Sequence, residues 1–228
     1  GDDGQKLSKR HGAVSVTQYD DDGYLPEAVI NYLARLGWSH GDDEIFTRAQ
    51  LVEWFDLDHI TPSAAQFNTE KLNWLNAHYI KQTDNARLAA DVSRRLARRE
   101  VDPEAGPQLE TIIALYKDRV ATLNELADAA EPFYIDLHPA PEVIAQHLTD
   151  AAREALASLR GKLADVAWEK AALSAAIKET CTAHGMKMPQ VAIPLRVVLL
   201  GQPQTPAIDA VLETMGRELV LGRIDRAL

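Results

Sequence analysis

"QLETIIALYKDRVATLNELADAA", residues 108–130, is the stretch that decides the fold class. Its apolar residues recur every three or four positions, which is the spacing of one face of an α-helix. The apolar set is Leu109, Ile112, Ile113, Tyr116, Val120, Leu123 and Leu126. The pattern predicts a helix over the stretch, and similar patterns on either side extend that prediction to most of the chain.

Three shorter helical patterns precede this stretch, at residues 25–38, 46–57 and 68–80. In the first, Pro26 suits the opening turn. Its apolar stripe is formed by Val29, Ile30, Leu33 and Leu36. In the second, Thr47 is the expected N-cap, because a threonine hydroxyl can accept a hydrogen bond from the first turn. Three short helices joined by turns indicate a compact first unit.

Residues 14–24, VSVTQYDDDGY, alternate β-branched and polar side chains before a turn at Asp22–Gly23. This alternation is typical of an extended segment. From Thr83 onward nearly every pattern is helical. The predicted fold class is therefore mainly α, with a small mixed N-terminal unit followed by all-helical domains.

Prolines mark the predicted boundaries further along the chain. Residues 131–142, EPFYIDLHPAPE, indicate a boundary between two helical parts. Residues 188–201, MPQVAIPLRVVLLG, are apolar, but Pro189 and Pro194 argue against one uninterrupted helix. Two further helices are predicted between residue 205 and the last residue.

Composition limits the class of protein. The chain has 228 residues, a mass of 25.2 kDa and a formal net charge of −10, and residues 20–58 hold ten acids against Arg35 and Arg48. Net acidity weakens non-specific binding to nucleic acid without excluding a specific site. Cys181 is the single cysteine, so no internal disulfide can form, and no apolar run approaches the ~20 residues that span a bilayer. We expect a cytoplasmic protein that does not associate with membranes.

A basic loop stands near the start of the sequence. Residues 6–10 read KLSKR and lie between Gly4 and Gly12. Positioned ammonium groups stabilise the negative charge that develops on phosphates during nucleotidyl transfer. The string is a variant of KMSKS, the signature of the phosphate loop in class I aminoacyl-tRNA synthetases.

The sequence around this loop resembles the glutamyl-tRNA synthetase family. The resemblance is carried by KLSKRHG, GYLPEA and NYLARLGW, then by EIF, FDLDHI and KLNWLNAHYI in the same order. KMPQVAIPLRVVLLG and TPAIDAVLETMG resemble the family's anticodon-binding region. The likeness covers essentially the whole chain and is weakest around residues 85–105.

The resemblance implies a layout in three parts. Residues 1–84 would be the end of the catalytic core with the stem-contact domain, followed by two helical anticodon-binding subdomains at 85–140 and 141–228. The family's nucleotide-binding fold and HIGH motif would lie upstream of residue 1. We therefore expect the C-terminal part of a longer enzyme, monomeric and unable to aminoacylate on its own.

The resemblance also implies an activity and its cofactors. The whole enzyme would join glutamate to tRNA(Glu) through a glutamyl-adenylate, using ATP with Mg²⁺. Lys9 and Lys6 would act in catalysis by steadying the phosphates. The ATP-binding loop would comprise Lys6, Leu7, Ser8, Lys9 and Arg10. ATP and glutamate would need the N-terminal domain, and no metal is expected on this part.

Five residues match the family's anticodon contacts. Arg119 corresponds to the arginine that reads the third anticodon base, where a planar guanidinium can hydrogen-bond a base edge. Arg196 corresponds to a second arginine that contacts tRNA. Thr205, Pro206 and Ile208 correspond to a patch on which the first two anticodon bases pack, although Ile208 stands where the family pattern has leucine.

Simpler interpretations accompany these roles. Arg119 would otherwise be a solvated surface arginine, Arg196 a capping residue, and Thr205–Pro206 an ordinary helix start. The tryptophans lie among apolar neighbours and are expected in the core. They are Trp38, Trp54, Trp74 and Trp168.

Two other functions remain open from the residues alone. A glutaminyl-tRNA synthetase shares the core chemistry but, in that family, usually carries β-barrel anticodon domains. A helical interaction scaffold that retained the loop would not bind tRNA. The seven histidines and Cys181 show no metal-ligand spacing.

Overall fold

The computed structural model describes residues 1, 4, 15–62 and 64–228. The regular structure of these residues consists of thirteen α-helices and three 3₁₀ turns, with one isolated β-bridge between His40 and Asp43. The mainly α prediction is confirmed. No strand occurs in this part of the chain, so the mixed character expected for the N-terminal unit is not seen there.

The helices are numbered in chain order. They are α1 (Val16–Asp21), α2 (Pro26–Arg35), α3 (Arg48–Trp54), α4 (Thr69–Gln82), α5 (Asn85–Ala97), α6 (Leu109–Tyr116), α7 (Leu123–Ala130), α8 (Pro141–His147), α9 (Asp150–Asp165), α10 (Lys170–Ala183), α11 (Met188–Leu200), α12 (Ile208–Met215) and α13 (Arg217–Ala227). The 3₁₀ turns are Pro103–Ala105, Lys117–Arg119 and Glu131–Phe133. Within the described ranges, no helix is both long enough and apolar enough to cross a lipid bilayer.

The chain divides into two compact units. The first comprises Gly1–Arg95 and Lys117–Asp128, and the second comprises Leu96–Tyr116 and Ala129–Leu228. The chain thus leaves the first unit in α5 and returns to it for twelve residues before completing the second. The boundaries expected at residues 84 and 140 stay a prediction.

The first unit departs from two local predictions. Residues 16–21 form α1, capped by the hydroxyl of Ser15, and are not an extended segment. The residues of α1 have low intrinsic helix propensity, so the helix depends on its Ser15 cap and on the contacts that Arg94 and Arg95 make with Asp20. In α2 the buried apolar side chains include Val29 and Tyr32, whereas Ile30 and Leu33 of the predicted stripe are exposed.

The second unit is built around α11. This helix contacts α8, α9, α10 and α13, and eight of its residues are buried. The prediction that Pro189 and Pro194 would interrupt it is wrong. Pro189 lies in the first turn, where no intrahelical N–H bond is lost, and burial of the apolar side chains offsets the bond that Pro194 removes. The last two helices, α12 and α13, are confirmed.

One buried arginine joins three backbone segments of the second unit. Arg223 on α13 is 4% exposed and donates to the carbonyls of Leu199, Pro132 and Ile135. Burial lowers the pKa of Arg223 to about 10, so the side chain is charged at neutral pH. The guanidinium therefore holds the end of α11 and the Glu131–Phe133 turn against α13.

Candidate nucleic-acid interface

Arg119 lies in a helix break that the apolar spacing did not predict. The expected single helix over residues 108–130 is instead α6, the 3₁₀ turn Lys117–Arg119 and α7. α7 begins anew because the Glu125 N–H donates to the Thr122 hydroxyl at 3.1 Å, and the Glu125 carboxylate accepts from the Ala121 N–H at 2.6 Å. Thr122-x-x-Glu125 is a capping-box sequence, which is the signal that could have located the break.

The break is anchored within the first unit. The buried amide of Asn76 on α4 accepts from the Leu25 N–H at 2.8 Å and donates to the Ala121 carbonyl at 2.6 Å. The Lys117 ammonium donates to the Thr83 carbonyl at 3.1 Å. The Leu123 N–H donates to the Gly23 carbonyl at 2.9 Å. The segments before and after Arg119 are therefore held by hydrogen bonds to other parts of the first unit.

The side chain of Arg119 is exposed, and within the described part of the chain it forms no hydrogen bond or ion pair. Lys117, two residues earlier, is half-buried and uses its ammonium on the backbone. A planar guanidinium with its donors free can bind a base edge or a phosphate bidentately. The geometry thus presents one arginine fork to solvent on a backbone that is held in place.

Arg196 and Thr205 are brought together in the second unit. Arg196 Nε donates to the Thr205 hydroxyl at 3.1 Å, and that hydroxyl donates to the Pro206 carbonyl at 2.9 Å. The interpretation of Thr205 as an N-cap is wrong, because α12 begins at Ile208 with Ala207 before it. Thr205 instead orients the Arg196 guanidinium, whose terminal nitrogens have no hydrogen bond to the residues described.

Pro206 and Ile208 are less accessible to solvent than a surface on which bases could stack directly. Both are buried, and Ile208 is only 8% exposed. Their role against anticodon bases stays a prediction. Arg119 belongs to the first unit. The second unit contains Arg196, Thr205, Pro206 and Ile208.

The basic loop lies outside the described residues. The predictions for Lys6, Leu7, Ser8, Lys9 and Arg10 are therefore not tested by the structure. In the part of the chain that is described, no group of three or more His, Cys, Asp or Glu side chains is arranged to hold a metal ion.

The acidic first unit is partly neutralised by its own cations. Asp20 pairs with Arg94 at 3.1 Å, and Lys71 pairs with Glu44 at 3.3 Å. Glu27 lies 2.9 Å from Arg87. Burial raises the pKa of Glu27, but the hydrogen bond and charge of Arg87 outweigh it, so the pKa lies below its ordinary value. The acidic count from sequence therefore overstates the negative field of this unit.

Trp74 lies on the surface, although its apolar neighbours in the sequence predicted a position in the core. Its side chain is 52% exposed, so that prediction is wrong, whereas Trp38 is 4% exposed, as expected. Lys71, Trp74, His78 and Lys81 occur at positions i, i+3, i+7 and i+10 of α4. At 100° per residue they share one face, opposite the buried residues of the helix. That spacing is the signal that could have identified the exposed tryptophan.

Two protein-family models match the chain. The family model described as "Anticodon binding domain" matches residues 60–228, which include Arg119, Arg196 and the α4 face. The chain belongs to the anticodon-binding domain family. A second model, described as the catalytic domain of class I tRNA synthetases (E and Q), matches residues 1–74.

Two similar curated relatives carry the same name. The chain is 78% identical over 228 residues to a glutamate–tRNA ligase of Azoarcus sp. (strain BH72) and 77% identical over 226 residues to that of Aromatoleum aromaticum. It covers 100% and 99% of its own length in these matches and 49% of each relative. The resemblance to glutamyl-tRNA synthetases is thus confirmed, and the chain spans about half the length of the curated relatives it matches.

Two solved structures of glutamate–tRNA ligases share the fold of this chain. A glutamate tRNA ligase from Elizabethkingia meningosepticum, in complex with its amino acid, superposes with a TM-score of 0.84 at 25% identity. Glutamate–tRNA synthetase from Elizabethkingia anophelis superposes with a TM-score of 0.80 at 25% identity. Each match covers 98% of this chain and 48% of the other. The helical anticodon-binding architecture agrees with these proteins and not with the β-barrel domains expected for the glutaminyl alternative.

Proposed function

We propose that this chain is the tRNA-recognising part of a glutamate–tRNA ligase. The observation that carries the proposal is the exposed Arg119 guanidinium on an anchored helix break, inside the region that matches the anticodon-binding family. The relatives named glutamate–tRNA ligase supply the identity of the tRNA.

Two groups of residues would divide the recognition. Arg119 would read a base edge of the anticodon, since its fork can donate two parallel hydrogen bonds to one base. Arg196, oriented by Thr205, would bind another base or phosphate of the tRNA. Pro206 and Ile208 would supply the apolar contact for an unstacked base, which requires the loop before α12 to expose them.

The activity of the whole ligase belongs to the same proposal. ATP with Mg²⁺ would supply the activating group for glutamate, and Lys9 and Lys6 would hold the phosphates by their positive charge. No described residue is assigned to ATP, Mg²⁺ or glutamate. The monomeric state and the cytoplasmic location stay predictions.

The test is a binding titration of the chain with a tRNA(Glu) transcript at one fixed salt concentration. We expect Arg119→Ala to weaken binding about ten- to hundredfold, because one good base contact contributes ~1–3 kcal/mol. The matched control is Arg48→Ala, an exposed arginine of the same unit, which should bind as the wild type does. Arg119→Lys keeps the charge but loses the fork, so we expect an intermediate affinity.

A second tRNA separates anticodon reading from general attraction. A transcript with a substituted third anticodon base should bind wild-type protein as weakly as the native tRNA binds Arg119→Ala, and the two changes together should add little more. Equal binding of every tRNA by every variant would overturn the proposal.

A further inference from the structure

The most exposed tryptophan of the described chain stands on the surface of a helix whose other face is part of a core. Trp74 is 52% exposed, while Leu72, Leu75 and Ile80 of the same helix are buried. A tryptophan is a costly side chain to leave in water, because burial of its ring would remove a large apolar area from solvent. A ligand that covered the Trp74 ring would therefore gain binding free energy at this face of α4.

His78 extends the aromatic surface by one helical turn. Its ring centroid lies 6.5 Å from that of Trp74, with the two planes inclined at 32°. The Gln82 side-chain nitrogen lies 3.0 Å from His78 Nε2, and this contact restrains the imidazole beside the tryptophan. The rings of Trp74 and His78 thus form one aromatic surface that extends over two turns of α4.

One lysine lies on each side of this aromatic surface along α4. Lys81 follows His78 in the last turn of α4, is exposed, and forms no ion pair with any residue in the described ranges. Lys71 precedes Trp74 by one turn, and Glu44 neutralises part of its charge at 3.3 Å. Glu70 is also exposed at the start of the helix and opposes an anion there. The positive end of the surface is consequently the Lys81 end.

We propose that this α4 surface, formed by Trp74, His78 and Lys81, binds one unpaired nucleotide of the tRNA. The base would stack on the Trp74 indole and contact the edge of His78, and Lys81 would bind its phosphate. The proposal rests on the tRNA-binding function proposed above. It assigns a contact made by α4, separate from the anticodon contacts of Arg119.

The chemistry of the surface favours an unpaired nucleotide over other occupants. A paired stem hides the faces of its bases, so it would engage the lysine and leave the indole in water. A protein segment that covered the indole would also have to desolvate or pair the ammonium of Lys81. A single unstacked nucleotide satisfies both groups, because its base offers a π-face to the indole and its phosphate offers a charge to the ammonium.

The test compares variants of the intact 228-residue chain against two RNAs, a tRNA(Glu) transcript and a blunt RNA duplex without unpaired nucleotides. Trp74→Ala should weaken tRNA binding about ten- to hundredfold and leave duplex binding unchanged, because stacking on one base is lost. Trp74→Phe should recover most of the affinity. The matched control is Leu57→Ala, since Leu57 is 75% exposed in the same unit but stands between Asp56 and Asp58.

A spectroscopic readout separates contact from folding. If a base stacks on Trp74, the intrinsic fluorescence of the wild type falls on addition of tRNA, and Trp74→Phe loses most of that change. Wild-type binding with unchanged affinity in Trp74→Ala would overturn this inference and leave the tRNA-binding function in place. Failure of the wild type to bind any tRNA would overturn both.

Discussion

At the scale of single residues, one buried amide connects both proposed contacts. Asn76 is fully buried on α4, the helix that carries Trp74, and it bonds the Ala121 carbonyl beside the break that carries Arg119. It also accepts from the Leu25 N–H and lies 3.3 Å from the Gly23 carbonyl. An amide is required here, because only a side chain with both a donor and an acceptor satisfies these backbone groups.

Asn76→Ala should destabilise the protein by about 2–4 kcal/mol, since it removes the Asn76 partner of the buried Leu25 N–H and of the part-buried Ala121 carbonyl. The measurement is the urea midpoint of unfolding, with the slope expected to stay constant. The control is Asn73→Ala on the same helix, where a half-buried side chain accepts from the Tyr24 hydroxyl at 2.7 Å. We expect ~0.5–1.5 kcal/mol there, and equal losses for both variants would contradict the role given to Asn76.

The motifs selected candidate residues, whose roles stay predictions, but they did not show which side chains are exposed. The family resemblance pointed to Arg119 and Arg196, and the structure leaves both with free donors. Nothing in the composition of KLNWLNAHYI revealed that its tryptophan faces solvent, because an indole counts as apolar wherever it stands. The helical phase of Trp74 relative to Leu72 and Leu75 contained that information, and only packing of one side of α4 made it decisive.

At the scale of elements, helix existence followed from apolar periodicity, but helix continuity did not. Periodicity predicted one helix through residues 108–130, and the chain breaks it at Lys117–Arg119. Periodicity with two prolines predicted a break in residues 188–201, and α11 runs through it. Caps decide the first case and the depth of burial decides the second, and neither is a property of apolar spacing.

The break before α7 depends on a close backbone approach at Gly23. This glycine has φ +91, and an added Cβ would lie 2.7 Å from the Asn124 backbone nitrogen. Gly23→Ala should therefore cost at least about 1–3 kcal/mol from the backbone conformation alone, and more from the contact. It should also weaken tRNA binding, because α7 and the turn that carries Arg119 have to move.

Gly41→Ala is the matched control for this change. Gly41 also has a positive φ, +53, but an added Cβ would meet nothing within 4 Å. We expect a loss of ~1–2 kcal/mol in thermal or urea unfolding and no change in tRNA affinity. If both glycine variants lost the same stability and bound tRNA equally well, the close approach to Asn124 would have no part in placing Arg119.

At the scale of the whole molecule, the formal charge of −10 opposes the approach of the proposed RNA partner. Ion pairs leave that net charge unchanged, but the arginines of α5 place positive charge beside Asp20 and Glu27 and so weaken the local negative field of the first unit. What stays unpaired on the surface includes Arg119 and Lys81. An acidic chain with a few free cations should bind tRNA through few phosphate contacts and should bind unrelated RNA weakly.

The salt dependence of tRNA binding measures that number of contacts. A plot of the logarithm of the association constant against the logarithm of salt concentration should lose ~0.7–0.9 of its negative slope for each cation that leaves a phosphate. We expect this reduction for Lys81→Gln, which is proposed to bind a phosphate, and a smaller one for Arg119→Gln, which is proposed to bind a base edge. Arg48→Gln removes the same charge from the same unit and should leave the slope unchanged. If a variant loses affinity while the salt slope stays unchanged, its effect comes from the fold or from a base contact. An unchanged slope for Lys81→Gln would therefore contradict the proposal that Lys81 binds a phosphate.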